Sequence, residues 1–200
     1  MNWNGLNEQY AELSRALFHD IKLNKTGTLT QRLLGTLTPT GAQDTVQSIT
    51  QKINKRLFIK GYPGTGKSSM MKQLAKEALS RGYDVQQVWC GLDANSIDMV
   101  ILPELEFCIF DSTEPHVYQP DLNRPGDEVF DIAKHCHPTE VEVKNIGGIV
   151  LKYKATMAVA KQYLKQYAEV EREIREMIDT ELNEDEFNKR TAFLFELIEE

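Results

Sequence analysis

The chain has 200 residues, 41% hydrophobic and 26% charged, with a formal net charge of −7. That length suits one globular domain with an appendage, enough to bury a real core. Two partner classes are set aside: no apolar run of about 18 residues spans a membrane, and no basic stripe with interleaved aromatics points to nucleic acid.

In chain order, the opening residues Met1 to Gly5 lack a basic segment leading into an apolar stretch, so no export signal is expected. Residues 6–23 place Leu6, Tyr10, Leu13, Leu17, Phe18 and Ile21 at a helical period. Residues 33–39 read as a strand or extended segment halted by Pro39 and Gly41, and residues 42–54 as a short helix. Residues 56–60 read as a short buried strand. After a glycine-rich stretch, residues 69–79 form an amphipathic helix, apolar at Met70, Met71, Leu74, Ala75 and Ala78 and ended at Arg81 and Gly82. Residues 84–90 and 106–111 read as further strands, the latter a continuous apolar run of the kind buried in parallel sheets.

Beyond Pro138 the pattern changes. Residues 149–178 read as one long helix with Leu151, Met157, Tyr163, Leu164, Tyr167, Val170, Ile174 and Ile178 along a stripe. Asn183 to Glu186 resemble a capping box opening a final helix that carries Phe187, Phe193, Leu194 and Leu197. Residues 169–200 hold 12 acidic and 4 basic side chains, so the acidity of the chain belongs to this end and the rest is nearly neutral. An acidic helix face is read here as a solvated surface or, in the alternative, a docking face. The three cysteines, Cys90, Cys108 and Cys136, have no paired spacing, as expected of a reduced cytoplasmic protein. Cys90 and Cys108 close apolar runs and read as small core residues.

The stretch Gly61, Tyr62, Pro63, Gly64, Thr65, Gly66, Lys67 and Ser68 fits G-x-x-x-x-G-K-[ST], and Ser69 follows it into the helix. Strand, glycine loop and helix turn backbone N–H groups and a helix N-terminus toward a polyphosphate. Gly61, Gly64 and Gly66 allow backbone angles and a close approach that a β-carbon would block. Lys67 reaches β- and γ-phosphates, and the Ser68 hydroxyl is a Mg²⁺ ligand in such loops. Residues 61–69 are therefore the expected site for a nucleoside triphosphate.

Phosphoryl transfer also needs a carboxylate for Mg²⁺ at the end of a buried strand. Asp111 ends such a strand 44 residues after Lys67, so Ser68 and Asp111 are the expected metal ligands. Ser112 and Thr113 either hold metal-bound water or form a hydroxyl-capped turn. Glu114 is a candidate general base, although it stands three residues past the aspartate. His116 either senses or polarises a γ-phosphate or is a structural histidine, and it joins Lys67 and Asp111 as the expected catalytic set. Asp93 follows the second strand, where ligands of open α/β sheets bind, with turn formation as the competing role. Arg124 is either a charge-stabilising finger or a surface loop residue. His135, Cys136 and His137 look metal-like, but adjacent side chains point apart and no second ligand pair accompanies them.

Thr38, Pro39 and Gly41, the GYPGTGKSS loop, the set Cys90, Gly91, Asp93, Asn95, Ser96, Asp98, Met99 and Val100, and the run Ile109 to Thr113 with Pro115 and His116 together resemble a bacterial family. Its members, mainly from Gram-positive bacteria, are labelled P-loop ATPase or nucleotide-kinase-like proteins. They are typically twice this length, with two tandem P-loop halves, and this chain resembles the second half over most of residues 10–180. The resemblance implies nucleotide binding, and it makes the opening helix the tail of a first half, in which case residues 6–23 present an unmatched apolar face. Relatives often carry a small residue at position 114, which weakens Glu114 as a base.

The expected fold is α/β, a P-loop NTPase three-layer fold with a small, mostly parallel sheet and a long C-terminal helical appendage. Residues 1–54 form a helix and lead-in, residues 55–140 the nucleotide-binding core, and residues 141–200 a helical hairpin. The expected ligands are ATP and Mg²⁺, since the guanine-reading Asn-Lys-x-Asp is absent: Asn24 and Lys25 have no following aspartate. The leading reading is an ATPase whose hydrolysis drives a change in the helical appendage or a partner, with self-association through those helices a further expectation. The alternatives are a small-molecule or nucleotide kinase, for which residues 112–140 offer only Arg124 and Lys134 as a lid, and a nucleotide sensor without turnover.

Overall fold

The computed structural model describes residues 1–114 and 116–199; Pro115 of the Asp-Ser-Thr-x-Pro-His element lies outside them, as does the side chain of Leu197. Residues 1–37 and 41–152 form one compact unit, and residues 38–40 and 153–200 a second.

The first unit is built on a six-stranded sheet, larger than the three or four strands expected. Its strands are β1 (Leu29–Leu33), β4 (Lys55–Lys60), β5 (Val85–Trp89), β6 (Ile97–Leu102), β7 (Phe107–Asp111) and β8 (Asp127–Asp131), in the order β1-β5-β6-β7-β4-β8. All run parallel except β6, which is antiparallel to both neighbours. A separate pair, β2 (Gly35–Thr38) and β3 (Gly41–Asp44), precedes α2 (Val46–Thr50). The single segment expected over residues 33–39 is thus two strands, and the helix expected over residues 42–54 shrinks to five residues behind β3.

Strand alternation sends residues to opposite faces. Leu57, Ile59, Phe107 and Ile109 join the cluster under α1 (Trp3–Phe18) and α3 (Lys67–Ser80), whereas Phe58, Cys108 and Phe110 join the cluster with Leu34 and Val46. Helices on both faces of a mostly parallel sheet make this an α/β architecture.

The apolar face of α1 is not unmatched. Leu6, Tyr10, Leu13, Leu17 and Phe18 are buried in the core, although Ile21 is exposed beyond the helix end. Tyr10 Oη and Ser14 Oγ each donate to Glu77 of α3 at 2.7 Å, and Arg81 donates to the same carboxylate.

α4 (Glu140–Glu181) runs 42 residues, longer at both ends than expected. Its start is fixed by a reciprocal cap that the sequence reading missed: the Thr139 N–H donates to Glu142 Oε2 at 2.7 Å and the Glu142 N–H to Thr139 Oγ1 at 3.3 Å. Most residues of the expected apolar stripe are in solvent: Tyr163, Tyr167, Val170, Ile174 and Ile178 of the second unit are exposed, as is Leu151 of the first. α5 (Glu184–Glu199) opens as expected, with Asn183 Oδ1 accepting the Glu186 N–H at 3.1 Å. No helix among the described residues is long and apolar enough to cross a membrane.

Candidate functional site

The five parallel strands share a carboxyl edge, and the glycine loop leaves β4 there to enter α3. A β-carbon at Gly61 would fall 2.7 Å from Ile132 Cγ1 and 2.9 Å from Thr65 Oγ1, so those side chains would have to shift. Gly66, with φ of 92°, is the N-cap of α3 in a left-handed conformation that β-carbons disfavour, and it brings no side chain to cap the helix. The first-turn N–H groups of α3 therefore have no side-chain cap, which leaves donor capacity for an anion.

β4 and β7 are adjacent, with Ile59 opposite Asp111, so the loop and the expected Mg²⁺ carboxylate lie side by side. Lys67 Nζ donates to the carbonyls of Gly61 and Tyr62 at 3.0 and 3.1 Å and stands 3.6 Å from Asp111 Oδ2. Ser68 Oγ accepts the Ile97 N–H at 3.0 Å, which ties the start of α3 to the start of β6. Lys67 and Asp111 thus converge, with Ser68 held against β6.

What the sequence reading did not assign is Asp98. The β5–β6 register pairs Val88 with Met99 but Trp89 with Ile97, so Asp98 is the extra residue of a bulge. The bulge turns its carboxylate inward beside Asp111, and it is buried with Oδ2 lacking a hydrogen-bond partner among the described residues. Burial raises its pKa above the usual carboxylate range; Asp111 and Asp93 add to this, while Cys90 and His116 act against it.

His116 reaches the same region. Its Nδ1 donates to Asp44 Oδ2 at 2.7 Å, and its Nε2 lies 3.8 Å from Asp98 Oδ2. Asp44, at the end of β3, also accepts from Tyr118 Oη at 2.8 Å. Burial works to raise the Asp44 pKa, but these bonds and the Val46 N–H hold it below the ordinary value. An ionised Asp44 fixes the His116 tautomer, leaving Nε2 as the acceptor in a neutral ring. Lys60, at the end of β4, pins the intervening loop: its Nζ donates to the carbonyls of Ser112 and Tyr118 at 2.8 and 2.7 Å, and burial lowers its pKa.

Other sequence candidates resolve into structural roles. Ser112 is buried, bonded to Lys60 and Tyr118. Thr113 donates its N–H and hydroxyl to Asp111 Oδ1 and so orients that carboxylate. Glu114 is exposed in the loop that follows. Asp93 accepts the Asn95 N–H at 2.9 Å, an Asx turn. Arg124 is not a finger: it donates to the carbonyls of Gln51 and Ile53 and stands 3.7 Å from Asp127, at the amino ends of β4 and β8 and so across the sheet from the loop. His135 pairs through Nε2 with Gln9 Oε1 at 2.8 Å, and among the described residues no group of three histidine, cysteine or acidic side chains has metal-binding geometry. A surface concavity of about 560 Å³ lies beside α2, lined by Val46, Gln51, Phe58, Phe110, Tyr118 and Arg124.

Compared with protein-family models, curated proteins and solved structures, the chain matches none.

The residues at the carboxyl edge suit a magnesium–triphosphate pair. They offer an uncapped helix start, a lysine, a hydroxyl and carboxylate oxygens, the hard donors that Mg²⁺ takes alongside phosphate. The orphaned Asp98 Oδ2 is an acceptor in need of a donor such as metal-bound water.

Proposed function

We propose that this chain is a Mg²⁺-dependent ATPase on the P-loop NTPase fold, related to the bacterial P-loop ATPase family that its motifs resemble. The observation that carries the reading is Lys67 Nζ standing 3.6 Å from Asp111 Oδ2, on adjacent parallel strands at one sheet edge.

In this reading the loop N–H groups of residues 61–69 and the start of α3 bind the β- and γ-phosphates. Lys67 exchanges its carbonyl partners for phosphate oxygens. Ser68 Oγ and Asp111 would hold Mg²⁺, which supplies charge neutralisation across the two phosphoryl groups. Thr113 keeps Asp111 oriented, and Asp98 accepts from a water beside it. His116 Nε2 accepts the proton of the attacking water while Asp44 holds the ring. A new oxygen–phosphorus bond forms as the β–γ bridging bond breaks, releasing ADP and phosphate.

The kinase reading is disfavoured by Arg124, which is anchored at the opposite sheet edge. The exposed apolar residues of α4, including Tyr163, Tyr167 and Val170, support docking to a partner or a second copy as the output. Three unpaired cysteines suit a reducing cytoplasm. The test is phosphate release from MgATP: turnover lost in Lys67→Ala supports an ATPase, and turnover unchanged by it removes Lys67 from the mechanism.

A further inference from the structure

Beside the loop stands an aromatic side chain with no assigned role. Trp3 is 56% exposed, yet its ring is adjacent to the phosphate loop: Cζ3 and Cη2 lie 3.6 and 3.9 Å from the point where a β-carbon on Gly66 would stand. Leaving so large an apolar ring in solvent forgoes burial that most tryptophans obtain.

Its backbone is held firmly. Asn2 caps α1 by accepting the Gly5 N–H, and the Asn2 N–H donates to the His135 carbonyl at 2.7 Å. Further along, Leu6 and Tyr10 are buried, and Tyr10 and Ser14 clamp Glu77 of α3. The helix that carries Trp3 is therefore fixed to the helix that the loop opens, and the ring is presented rather than loose. Preorganised aromatic surface binds at a reduced entropic cost.

We infer that Trp3 is the stacking platform for the purine base of the nucleotide whose phosphates occupy the loop. The inference rests on the reading of residues 61–69 as a phosphate site. A triphosphate in that loop must lead its nucleoside out past one end of it. At the α3 end, the Trp3 ring lies within van der Waals distance of the point where a β-carbon on Gly66 would stand. Stacking uses the π-face that every purine has, so it requires no base-specific hydrogen bond.

The chain has two tryptophans, so Trp89→Phe leaves Trp3 as the sole reporter. Titrating that protein with MgATP and separately with magnesium tripolyphosphate follows Trp3 fluorescence, while calorimetry gives both affinities. The expected result is quenching by MgATP and none by tripolyphosphate. Trp3→Ala should weaken MgATP about tenfold and leave tripolyphosphate unchanged, and Trp3→Phe should recover most of the loss. A variant that merely disturbed the loop would weaken both ligands. Equal MgATP affinity in Trp3→Ala and the parent overturns the platform and leaves the phosphate site standing. Binding of neither ligand overturns both.

Discussion

His116 Nε2 faces Asp98 Oδ2 across 3.8 Å, a gap too long for a direct hydrogen bond, while the other ring nitrogen is committed to Asp44. The histidine is oriented from one side and open on the other. His116→Ala should therefore lower ATP turnover by about 10²–10⁴-fold, the usual contribution of a positioned acid–base group. Calorimetric MgATP affinity should stay near the parent value. Asp44→Asn should reduce turnover less, since the ring remains but its tautomer is no longer enforced. Full activity in His116→Ala would return that residue to a structural role.

Asp98 makes a prediction about stability and pH. Its folded pKa is raised, chiefly by burial. Below the ordinary carboxylate range the group is protonated in folded and unfolded chains alike and costs nothing. As pH rises, the unfolded chain ionises it first, so its burden on the fold grows until pH passes the folded value. Asp98→Asn should accordingly stabilise the protein at pH 8, because it removes the buried charge while keeping the shape of the side chain. The gain should shrink toward acid pH in denaturant titrations. A gain independent of pH would show that the carboxylate's charge is not its source.

Glu77 behaves in the opposite sense. Burial tends to raise its pKa, but donors from Tyr10, Ser14 and Arg81 outweigh it and hold the value below the ordinary one. That stabilisation is present above the ordinary carboxylate range and is lost as pH falls through the folded value. Glu77→Gln should lower stability at pH 7 by about 1.5–3 kcal/mol, and its unfolding curve should converge with that of the parent in acid. Because the clamp anchors α1, amide exchange over residues 3–18 should accelerate in this variant.

Cys108 lies wholly inside the sheet, where burial pushes its thiol up to about 12. Cys90 is also raised by burial, though it is only half-buried. In the folded protein at pH 8, a thiol reagent should modify Cys136 first and Cys90 slowly, and spare Cys108 until denaturant is added. Rapid labelling of Cys108 would contradict the packing of β7 between β4 and β6.

The path from β4 through the loop into α3 was legible because a buried apolar run, three glycines and an amphipathic helix follow one another. β7 and its terminal Asp111 were legible for the same reason. β8 was not: Asp127-Glu128-Val129-Phe130-Asp131 is an edge strand with Phe130 as its buried member, so its pattern is mostly polar. β6 carries no continuous apolar signal, since Asp98 interrupts its run. The role of Asp98 has no local signal either, because the bulge that turns it inward depends on pairing with β5. The Asp44–His116 contact joins residues 72 apart and has no local signal. Arg124 failed as a finger because its distance from Asp111 along the chain says nothing about which end of the sheet it occupies.

The most direct test is calorimetric titration with MgATP of the parent, Lys67→Ala and Asp111→Asn proteins, followed by phosphate release from the same samples. The parent should show one ATP site and turnover that requires Mg²⁺, and both variants should lose that turnover. Binding without turnover in the parent would contradict the ATPase assignment and leave a nucleotide sensor. Absence of binding would contradict the phosphate site itself.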